Sequence, residues 1–420
     1  MLEHEEIQKN DKPSKKHNIL EVKDYLDLQY EFRRNVLTME LEYRALDEGQ
    51  FKVLDEAMIN SLWIDLQIDG FKVSDSMLIK ILNSKLVGSH HPLQAYFKNL
   101  PPHDGKDHIQ ELADSVIISD EGVEDIKVSD LWKPYLEKWL VGSVATAINR
   151  GTNHLCLILA GGQGIGKTTW LNKLCPKGME EFLVCSHINP ALTDTTTANY
   201  LAEKWFVNID DQLETIFGKD FNAMKAIITA GNVTNRKTWH RFSRKRPRVC
   251  SFMGSVNNTQ FLTDTENRRY LVFQVKDIVL DAKVDVNRVW SQALHLLNQK
   301  YPYWFNREEM DVLNKVNNLY RQTTPEEEWL VRLFEPCEPT DQRANYMMPS
   351  EILTQLNAFS GMKLSIKKLA MAMERMGFGK KISKRINGQP RNVYPVIRRS
   401  DMDEQKLQNE IRDSLEKPPF

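Results

Sequence analysis

The sequence predicts a protein built around an α/β core, and two observations lead to that fold class. Four short apolar runs have the length of buried strands, and segments with helical periodicity separate them. A glycine-rich turn joins the first of these runs to the helix that follows it. Strands that alternate with helices are typical of an α/β architecture. The four runs are LCLILA (155–160), KWFVNID (204–210), RVCSFMGSVN (248–257) and YLVFQV (270–275).

The part of the chain before this core is expected to be mainly helical. The stretches EAMINSLWIDLQIDG and VSDSMLIKILNSKLV place apolar residues three and four positions apart. Ser74 and Asp75 stand where a helix cap belongs. We therefore expect a flexible tail over 1–18, a helical domain over 19–130 and the core over 131–324.

The C-terminal part is expected to form a smaller unit of its own. Three helical segments, EEEWLVRLF, PSEILTQLNAF and SIKKLAMAMERMG, precede the polar turn RINGQPR and the strand-like run VYPVI. Three helices followed by a hairpin are typical of a winged helix. We expect a winged-helix-like domain over 325–400 and a polar tail over 401–420.

Composition and cysteine usage indicate a cytoplasmic protein without a membrane partner. Hydrophobic residues make up 41% of the chain and charged residues 27%, close to the average of soluble globular proteins. No apolar run approaches the roughly 18 residues that a membrane helix needs. The 5 cysteines are scattered and form no CxxC pair, which favours a reduced protein without a disulfide framework.

The net charge of −1, taken over the whole chain, predicts no polyanionic partner. Single segments give a different picture. The stretch 221–263 holds eight Lys or Arg residues and no acid. The stretch 361–399 holds eleven Lys or Arg residues and one acid, Glu374. Basic clusters of this kind displace counterions from phosphates, so the sequence predicts DNA, single-stranded or duplex, as a partner.

The glycine-rich turn carries the motif G-x-x-x-x-G-K-[ST] at 161–168. Glycines allow backbone N–H groups to point at an anion, and the N-terminus of the following helix adds partial positive charge. Lys167 is expected to reach the β- and γ-phosphates of ATP, and the Thr168 hydroxyl to bind Mg²⁺. The predicted nucleotide contacts are Gly161, Gly162, Gln163, Gly164, Ile165, Gly166, Lys167, Thr168 and Thr169.

Polar residues at other strand ends complete the predicted catalytic set. Asp210 and Asp211 end one buried run; one would hold Mg²⁺, with Asp210 the predicted ligand, and the other would orient or deprotonate the attacking water. The sequence leaves the assignment of the base open. Asn257 ends another run, where a side chain senses the γ-phosphate, and Arg268 and Arg269 follow it as candidates for an arginine that reaches a neighbouring subunit's nucleotide.

Together these segments resemble the virulence-associated protein E family. These are P-loop proteins of phages, pathogenicity islands and mobile elements, related to superfamily III replicative helicases and poxvirus-type primase-helicases. The resemblance implies an α/β P-loop NTPase core of the AAA+/superfamily III helicase type. It is strongest over about 130–276. The motifs that carry it are GGQGIGKTT, WFVNIDD, MKAIITAGNVTNRKTWHRF, PRVCSFMGSVN and TDTENRRYLVF.

The resemblance also implies roles for single residues. Lys167 and Thr168 would belong to the Walker A motif, Asp210 and Asp211 to Walker B, and Asn257 would be sensor 1. By its spacing from Asn257, Arg268 is the better arginine-finger candidate, with Arg269 beside it. The chain departs from the family at Asn208, because many members carry glutamates at positions matching Asn208 and Asp211.

Superfamily III motors carry a DNA-contacting hairpin just before sensor 1, and the corresponding segment here is 233–249. Its basic residues alternate with Trp239, His240 and Phe242, whose faces could stack on unpaired bases. The alternative is a solvated basic hairpin. The predicted DNA contacts are Lys237, His240, Arg241, Arg244 and Lys245.

These observations predict an ATP-dependent DNA helicase or translocase that acts in the replication of a mobile element or phage-like island. The resemblance implies a homo-oligomeric ring, a hexamer. The stretch 19–130 offers no paired carboxylate strand of the kind a primase needs, so priming, where it is required, would come from a separate primase as partner. One alternative is an ATP-switched DNA-binding initiator or loader that does not unwind DNA. Another is an ATPase of an anti-phage or interference system.

Overall fold

The computed structural model describes residues 18–120, 126–210, 212–215, 219–235, 243–258, 260–262, 267–386 and 388–399. The expected tails, 1–18 and 401–420, lie almost entirely outside these ranges. The chain divides into two units, Met1–Tyr320 and Arg321–Phe420.

The first unit begins with a small α/β layer that has its own apolar core. Within the described residues, four strands form a sheet in the order β3-β2-β1-β4, with β1 antiparallel to β2 and parallel to β4. Leu62 and Leu66 of α2 and Leu78 of α3 are buried in its core. The elements are α1 (Ile19–Asp27), β1 (Tyr30–Asn35), β2 (Leu41–Ala45), β3 (Lys52–Val53), α2 (Glu56–Ile68), α3 (Asp75–Leu82) and β4 (Gly88–His90).

The expectation of a mainly helical domain over 19–130 did not include this sheet, although the two stretches with helical periodicity are helices α2 and α3. Charged residues that could have formed the polar face of a helix pair instead between strands β1 and β2. Arg33 Nε lies 2.5 Å from Glu42 Oε2, and Arg44 Nη2 lies 2.6 Å from Glu31 Oε2. Such cross-strand pairs follow from register, which the periodicity of one strand does not reveal.

The rest of the first unit is the α/β core. Its described strands form a six-stranded sheet in the order β5-β12-β6-β11-β8-β7, in which only β5 is antiparallel to its neighbour. A separate antiparallel pair, β9 and β10, flanks the segment 236–242. The elements are α4 (Pro92–Asn99), α5 (His108–Asp114), β5 (Val116–Ile118), α6 (Val128–Ala147), β6 (Cys156–Ala160), α7 (Lys167–Lys173), β7 (Leu183–Cys185), α8 (Thr195–Glu203), β8 (Phe206–Asn208), α9 (Gln212–Thr215), α10 (Lys219–Thr229), β9 (Asn232–Asn235), β10 (Arg244–Pro247), β11 (Ser251–Val256), β12 (Tyr270–Ile278), α11 (Val286–Asn298) and α12 (Arg307–Asn318).

The segment 92–118 packs with this core, although the sequence suggests a boundary near residue 130. Strand β5 extends the core sheet through its pairing with β12. The Ile109 backbone N–H donates to Gln292 Oε1 at 2.9 Å, and Trp132 Nε1 donates to the Ala113 carbonyl at 2.9 Å. Which core a helix joins depends on its contacts with distant residues, and its own sequence does not reveal them.

The second unit contains helices and a small antiparallel sheet. Within its described part the sheet joins β13, β16 and β14, with β15 paired along the other half of β16. Leu330, Ile352 and Leu369 bring the three helices to one apolar core. The elements are α13 (Pro325–Leu333), β13 (Phe334–Pro336), β14 (Asn345–Met347), α14 (Pro349–Ser360), α15 (Ile366–Arg375), β15 (Ile382–Ile386) and β16 (Gln389–Arg398).

In the part of the chain that the structure describes, no helix has the length and apolar character needed to cross a membrane.

Candidate functional site

The loop between β6 and α7 depends on glycine at defined positions. Gly161, Gly164 and Gly166 have φ values of 153°, 85° and 89°, a region that other residues rarely adopt. A Cβ atom on Gly161 would lie 2.6 Å from the Val275 carbonyl oxygen, and one on Gly166 would lie 2.7 Å from Leu280 Cδ1. The loop conformation therefore requires glycine both for its dihedral angles and for its close packing.

The Lys167 ammonium is held at this loop by three acceptors. Lys167 is 5% exposed, and its Nζ donates to the carbonyls of Gly161 at 2.8 Å and Gly162 at 2.7 Å. It also donates to Asn257 Oδ1 at 3.0 Å. Because β11 lies beside β6 in the sheet, the residue that follows β11 stands next to the loop that follows β6. The structure thus brings together the predicted Walker A lysine and the predicted sensor residue.

Asp210 accepts hydrogen bonds from two hydroxyls at the same edge of the sheet. Thr168 Oγ1 donates to Asp210 Oδ2 at 2.8 Å, and Ser255 Oγ donates to Asp210 Oδ1. The two hydroxyls lie 3.2 Å apart. A carboxylate beside hydroxyl oxygens is a donor set of hard oxygens, which suits Mg²⁺. Asp211 lies outside the described residues.

A second pair of side chains links α7 to β8 one helical turn further on. Asn208 Nδ2 donates to Asn172 Oδ1 at 2.8 Å, and Asn208 is fully buried. Thr168 and Asn172 are four residues apart, so they lie on one face of α7. Burial and the neighbouring Asp210 carboxylate raise the pKa of the Cys185 thiol. Asn208, where the family resemblance leads one to expect a glutamate, therefore serves an amide–amide contact beneath Asp210.

Arg268 and Arg269 lie at the opposite edge of the sheet from the loop. They immediately precede β12, which pairs in parallel with β6 from Tyr270 opposite Cys156. The loop follows the last residue of β6, five residues further along, which corresponds to about 16 Å at the rise of a strand. Arg268 is exposed and Arg269 partly buried. The structure therefore does not bring either arginine to Lys167 of the same chain.

The predicted DNA hairpin is described only at its base. Lys237, His240 and Arg241 lie outside the described residues. Arg244 begins β10, and Lys245 beside it is exposed.

Three other basic residues of this stretch are buried and have structural contacts. Arg248 is 1% exposed and donates to the Ile228 carbonyl at 2.6 Å. Arg246 is 7% exposed and pairs with Glu203 at 2.8 Å. Lys225 is 6% exposed. The charge count of 221–263 therefore overstates the basic surface that is available for DNA.

The basic stretch of the second unit is largely on its surface. Lys367 and Lys368 on α15 are exposed, as are Lys380 and Lys381 in the turn that follows. Arg375 differs from them, because it is partly buried and its Nη1 lies 3.1 Å from Oε1 of the buried Glu327. These four exposed lysines leave positive charge on the surface of the second unit.

The family can now be assigned from a comparison with known protein families. The profile of the virulence-associated protein E-like domain matches residues 97–322, more than half of the chain. The chain belongs to the virulence-associated protein E-like family. The VapE-like match begins within α4 and ends two residues after the first unit, which agrees with the packing of 92–118 on the core.

Solved structures similar to this VapE-like protein have low sequence identity to it. The apo structure of the NrS-1 C-terminal region is 13% identical, covers 90% of this chain and 98% of its own, and gives a TM-score of 0.48. SCCmec type IV Cch, described as an active helicase, is 9% identical, with coverages of 88% and 92% and a TM-score of 0.37. No curated protein matches the chain. The family assignment rests on the domain profile.

Two residues of this VapE-like site, Ser255 and Asn172, are not among those that the sequence predicts. Ser255 bonds Asp210 directly, and its signal is a hydroxyl two positions before Asn257, on the same face of the strand. Asn172 had no recognisable signal, since an asparagine within a helix is ordinary. The aromatic run YPYWF (301–305) lies beside a second pocket, at the other edge of the sheet.

Proposed function

We propose that this protein is an ATP-dependent DNA helicase or translocase that acts in the replication of a mobile element or phage-like island. The observation that carries the proposal is the meeting of Lys167, Thr168, Asp210 and Asn257 at one edge of a parallel sheet. These four side chains come from three separate elements. If the glycine-rich turn bound no ligand, their convergence at this edge would have no explanation.

The substrate of this edge would be ATP with Mg²⁺. The backbone N–H groups of the glycine loop would bind the phosphate chain, and Lys167 would supply the positive charge that stabilises the transferred phosphoryl group. Thr168 and Asp210 would hold Mg²⁺, which neutralises charge on the phosphates. Asn257 would bind the γ-phosphate or the attacking water, and Asp211 is our candidate to orient that water. The remaining nucleotide contacts would come from the backbone of 161–169.

The arginines would act between subunits. Arg268 and Arg269 lie about 16 Å of strand away from the loop of their own chain, so they serve catalysis only if a neighbour presents its nucleotide to them. A head-to-tail arrangement that closes on itself gives a ring. We propose a homo-oligomeric ring, a hexamer by resemblance, with Arg268 as the arginine finger and Arg269 beside it.

Two basic surfaces would contact DNA. The segment that joins β9 to β10 would contact the DNA strand during ATP turnover, through Lys237, His240, Arg241, Arg244 and Lys245. The second unit, which we propose is a winged helix, would bind duplex phosphates through the exposed lysines on α15 and the following turn. Priming would require a separate primase.

The test of the motor is the ATPase rate of the full chain with and without single-stranded DNA. We expect stimulation by DNA, and loss of hydrolysis in Lys167→Ala with the fold retained by circular dichroism. Hydrolysis that persists in Lys167→Ala would refute the motor.

Two further measurements refine the proposal. Substitution of Arg244 and Lys245 together by alanine is expected to abolish DNA stimulation while nucleotide affinity stays within about threefold. Strand displacement on a forked duplex separates a helicase from an initiator or loader, because the latter hydrolyses ATP without releasing the strand.

A further inference from the structure

A second pocket opens at the amino edge of the core sheet, with a volume of about 470 Å³. Basic side chains reach it from the segments before β6 and β12, and aromatic side chains from the loop between α11 and α12. We call it the amino-edge pocket, and the lining residues that matter here are His154, Arg268, Arg269, Tyr303, Trp304 and Phe305. Its volume lies within the range of small-molecule sites.

The aromatic side of this pocket is fixed by contacts behind it. The Tyr303 hydroxyl fills the place where Gly151 would carry a Cβ, at a distance of 1.8 Å, so residue 151 has to be glycine for the ring to lie there. The Trp304 carbonyl accepts from Lys138 Nζ at 3.1 Å, and the same ammonium lies 5.0 Å from the Phe305 ring. A preorganised wall of rings loses little entropy when a ligand binds.

The outer side chains of the pocket expose an aromatic face and guanidinium groups, which suit a ligand with a base and phosphates. Trp304 is 62% exposed although its backbone is fixed, which leaves a large aromatic face in water. Arg268 is exposed and forms no ion pair with any described residue, and the buried Nε of Arg269 has no hydrogen-bond partner among them. Guanidinium groups bind phosphates through paired donors, and aromatic faces stack on bases.

We infer that the amino-edge pocket binds a nucleotide, whose base stacks on Trp304 and whose phosphates meet Arg268 and Arg269. The inference rests on the proposed function and goes beyond a trans-acting arginine, because it gives the base a binding partner. The nucleotide can come from two sources: the P-loop of a second copy of the chain, or solution.

The experiment measures binding of a ribose-labelled, non-hydrolysable ATP analogue to the full chain by fluorescence anisotropy in the presence of Mg²⁺. In Trp304→Ala we expect affinity to fall about 5- to 150-fold, the range that one lost base stack gives. Trp304→Phe keeps a ring and should stay within about threefold. Leu28→Ala, at an apolar residue that is 77% exposed in the N-terminal layer, is the matched control and should bind like the native chain.

A second arm distinguishes the two sources. If a neighbour's P-loop presents the nucleotide, Lys167→Ala abolishes binding. A mixture of Lys167→Ala chains with Trp304→Ala chains then regains high-affinity binding. The Lys167→Ala chain supplies the intact aromatic side of the pocket, and the Trp304→Ala chain supplies the intact P-loop. If the nucleotide comes from solution, Lys167→Ala still binds one analogue per chain, and Trp304→Ala loses that site.

The inference is overturned if Trp304→Ala matches the native chain in both affinity and stoichiometry. It is also overturned if an unpaired oligonucleotide loses affinity in Trp304→Ala while the analogue does not. Failure of the motor itself looks different, since ATP hydrolysis then survives Lys167→Ala.

Discussion

Asp210 illustrates how a single carboxylate depends on side chains from other elements. Its two oxygens accept from Thr168 at the start of α7 and from Ser255 on β11. Hydrogen bonds to a charged acceptor are shorter and stronger than neutral ones, so the pair restricts how the carboxylate can turn. Ser255 is therefore a positioning residue for Asp210 in the proposed hydrolysis.

Ser255→Ala is expected to lower the kcat of ATP hydrolysis about 10- to 150-fold, because it removes one charge-assisted hydrogen bond worth about 1.5–3 kcal/mol. Nucleotide affinity should stay within about threefold, and Ser255→Thr should restore most of the rate. The control is Ser251→Ala at the other end of β11, whose hydroxyl lies 3.5 Å from Asn153 Nδ2. A kcat that is equal in Ser255→Ala and the native chain would remove this role.

The contribution of His91 to the stability of the fold depends on pH. It caps α4, where its Nδ1 accepts from the Gln94 backbone N–H at 3.3 Å. Burial lowers the pKa of His91 from 6.5 to about 4. The folded state therefore favours the neutral ring, so the contribution to stability is complete above about pH 6.5 and is lost as the pH falls towards 4.

His91→Asn keeps a good capping residue and removes this titration. We expect the variant to lose less thermal stability than the native chain between pH 6.5 and pH 4, and to differ little above pH 7. Melting temperatures measured across this range test the expectation. Parallel pH dependences for the two chains would contradict it.

At the scale of elements, Arg246 ties the base of the β9–β10 hairpin to two other parts of the first unit. Its Nη1 donates to the Leu37 carbonyl at 2.9 Å and to Glu203 at 2.8 Å, and its Nη2 donates to Asn199 at 2.7 Å. Leu37 belongs to the connection after β1, while Asn199 and Glu203 lie on α8. The N-terminal layer is thus bonded directly to the strand that leads out of the proposed DNA hairpin.

Arg246→Met is expected to destabilise the protein by about 3–5 kcal/mol, because the substitution removes a guanidinium that is itself buried, its ion pair with the largely buried Glu203 carboxylate and its bonds to Leu37 and Asn199. Urea unfolding followed by tryptophan fluorescence measures the change. Lys245→Met, the adjacent exposed position, should stay within about 0.5 kcal/mol of the native chain. An equal loss of unfolding free energy in the two variants would show that the Arg246–Glu203 pair does not stabilise the fold more than an exposed lysine does.

For the whole molecule, charge is distributed in segments that nearly cancel. The total is −1, yet 361–399 holds eleven basic residues and one acid. Lys367 and Lys368 expose their side chains in that unit, whereas many lysines of the N-terminal part pair with acids, as Lys52 does with Glu48 at 2.9 Å. DNA binding by this chain should therefore be local to a basic face and sensitive to salt.

Lys367→Ala combined with Lys368→Ala is expected to weaken duplex DNA binding. It should also reduce the slope of log K against log salt concentration by about 2, since each lysine that neutralises a phosphate contributes about 0.9. A KCl titration followed by anisotropy of a labelled duplex gives the slope. The matched control is Lys52→Ala with Lys127→Ala, two exposed lysines that pair with Glu48 and Asp130. An unchanged slope in the Lys367→Ala, Lys368→Ala variant would show that these two lysines do not contact the DNA phosphates.

The sequence by itself determined the local features of this protein. The four apolar runs predict strands that the structure contains at β6, β8, β11 and β12, and the glycine spacing predicts the turn after β6. These features are readable because strand burial and positive φ values impose residue types on a few consecutive positions. The residues that the motif selects at this edge, Lys167 and Thr168, lie together with Asp210 and Asn257.

Only the tertiary structure decided which distant segments share a surface. It formed an N-terminal sheet from short segments between 30 and 90 that carry no strand signal of their own. It also placed 92–118 on the core, and buried Arg246 and Arg248, which belong to a run that is basic throughout in the sequence. It also gathered Tyr303, Trp304 and Phe305 beside Arg268 and Arg269. Register, burial and contacts between distant residues depend on packing across the whole core, and no local pattern of residue types encodes them.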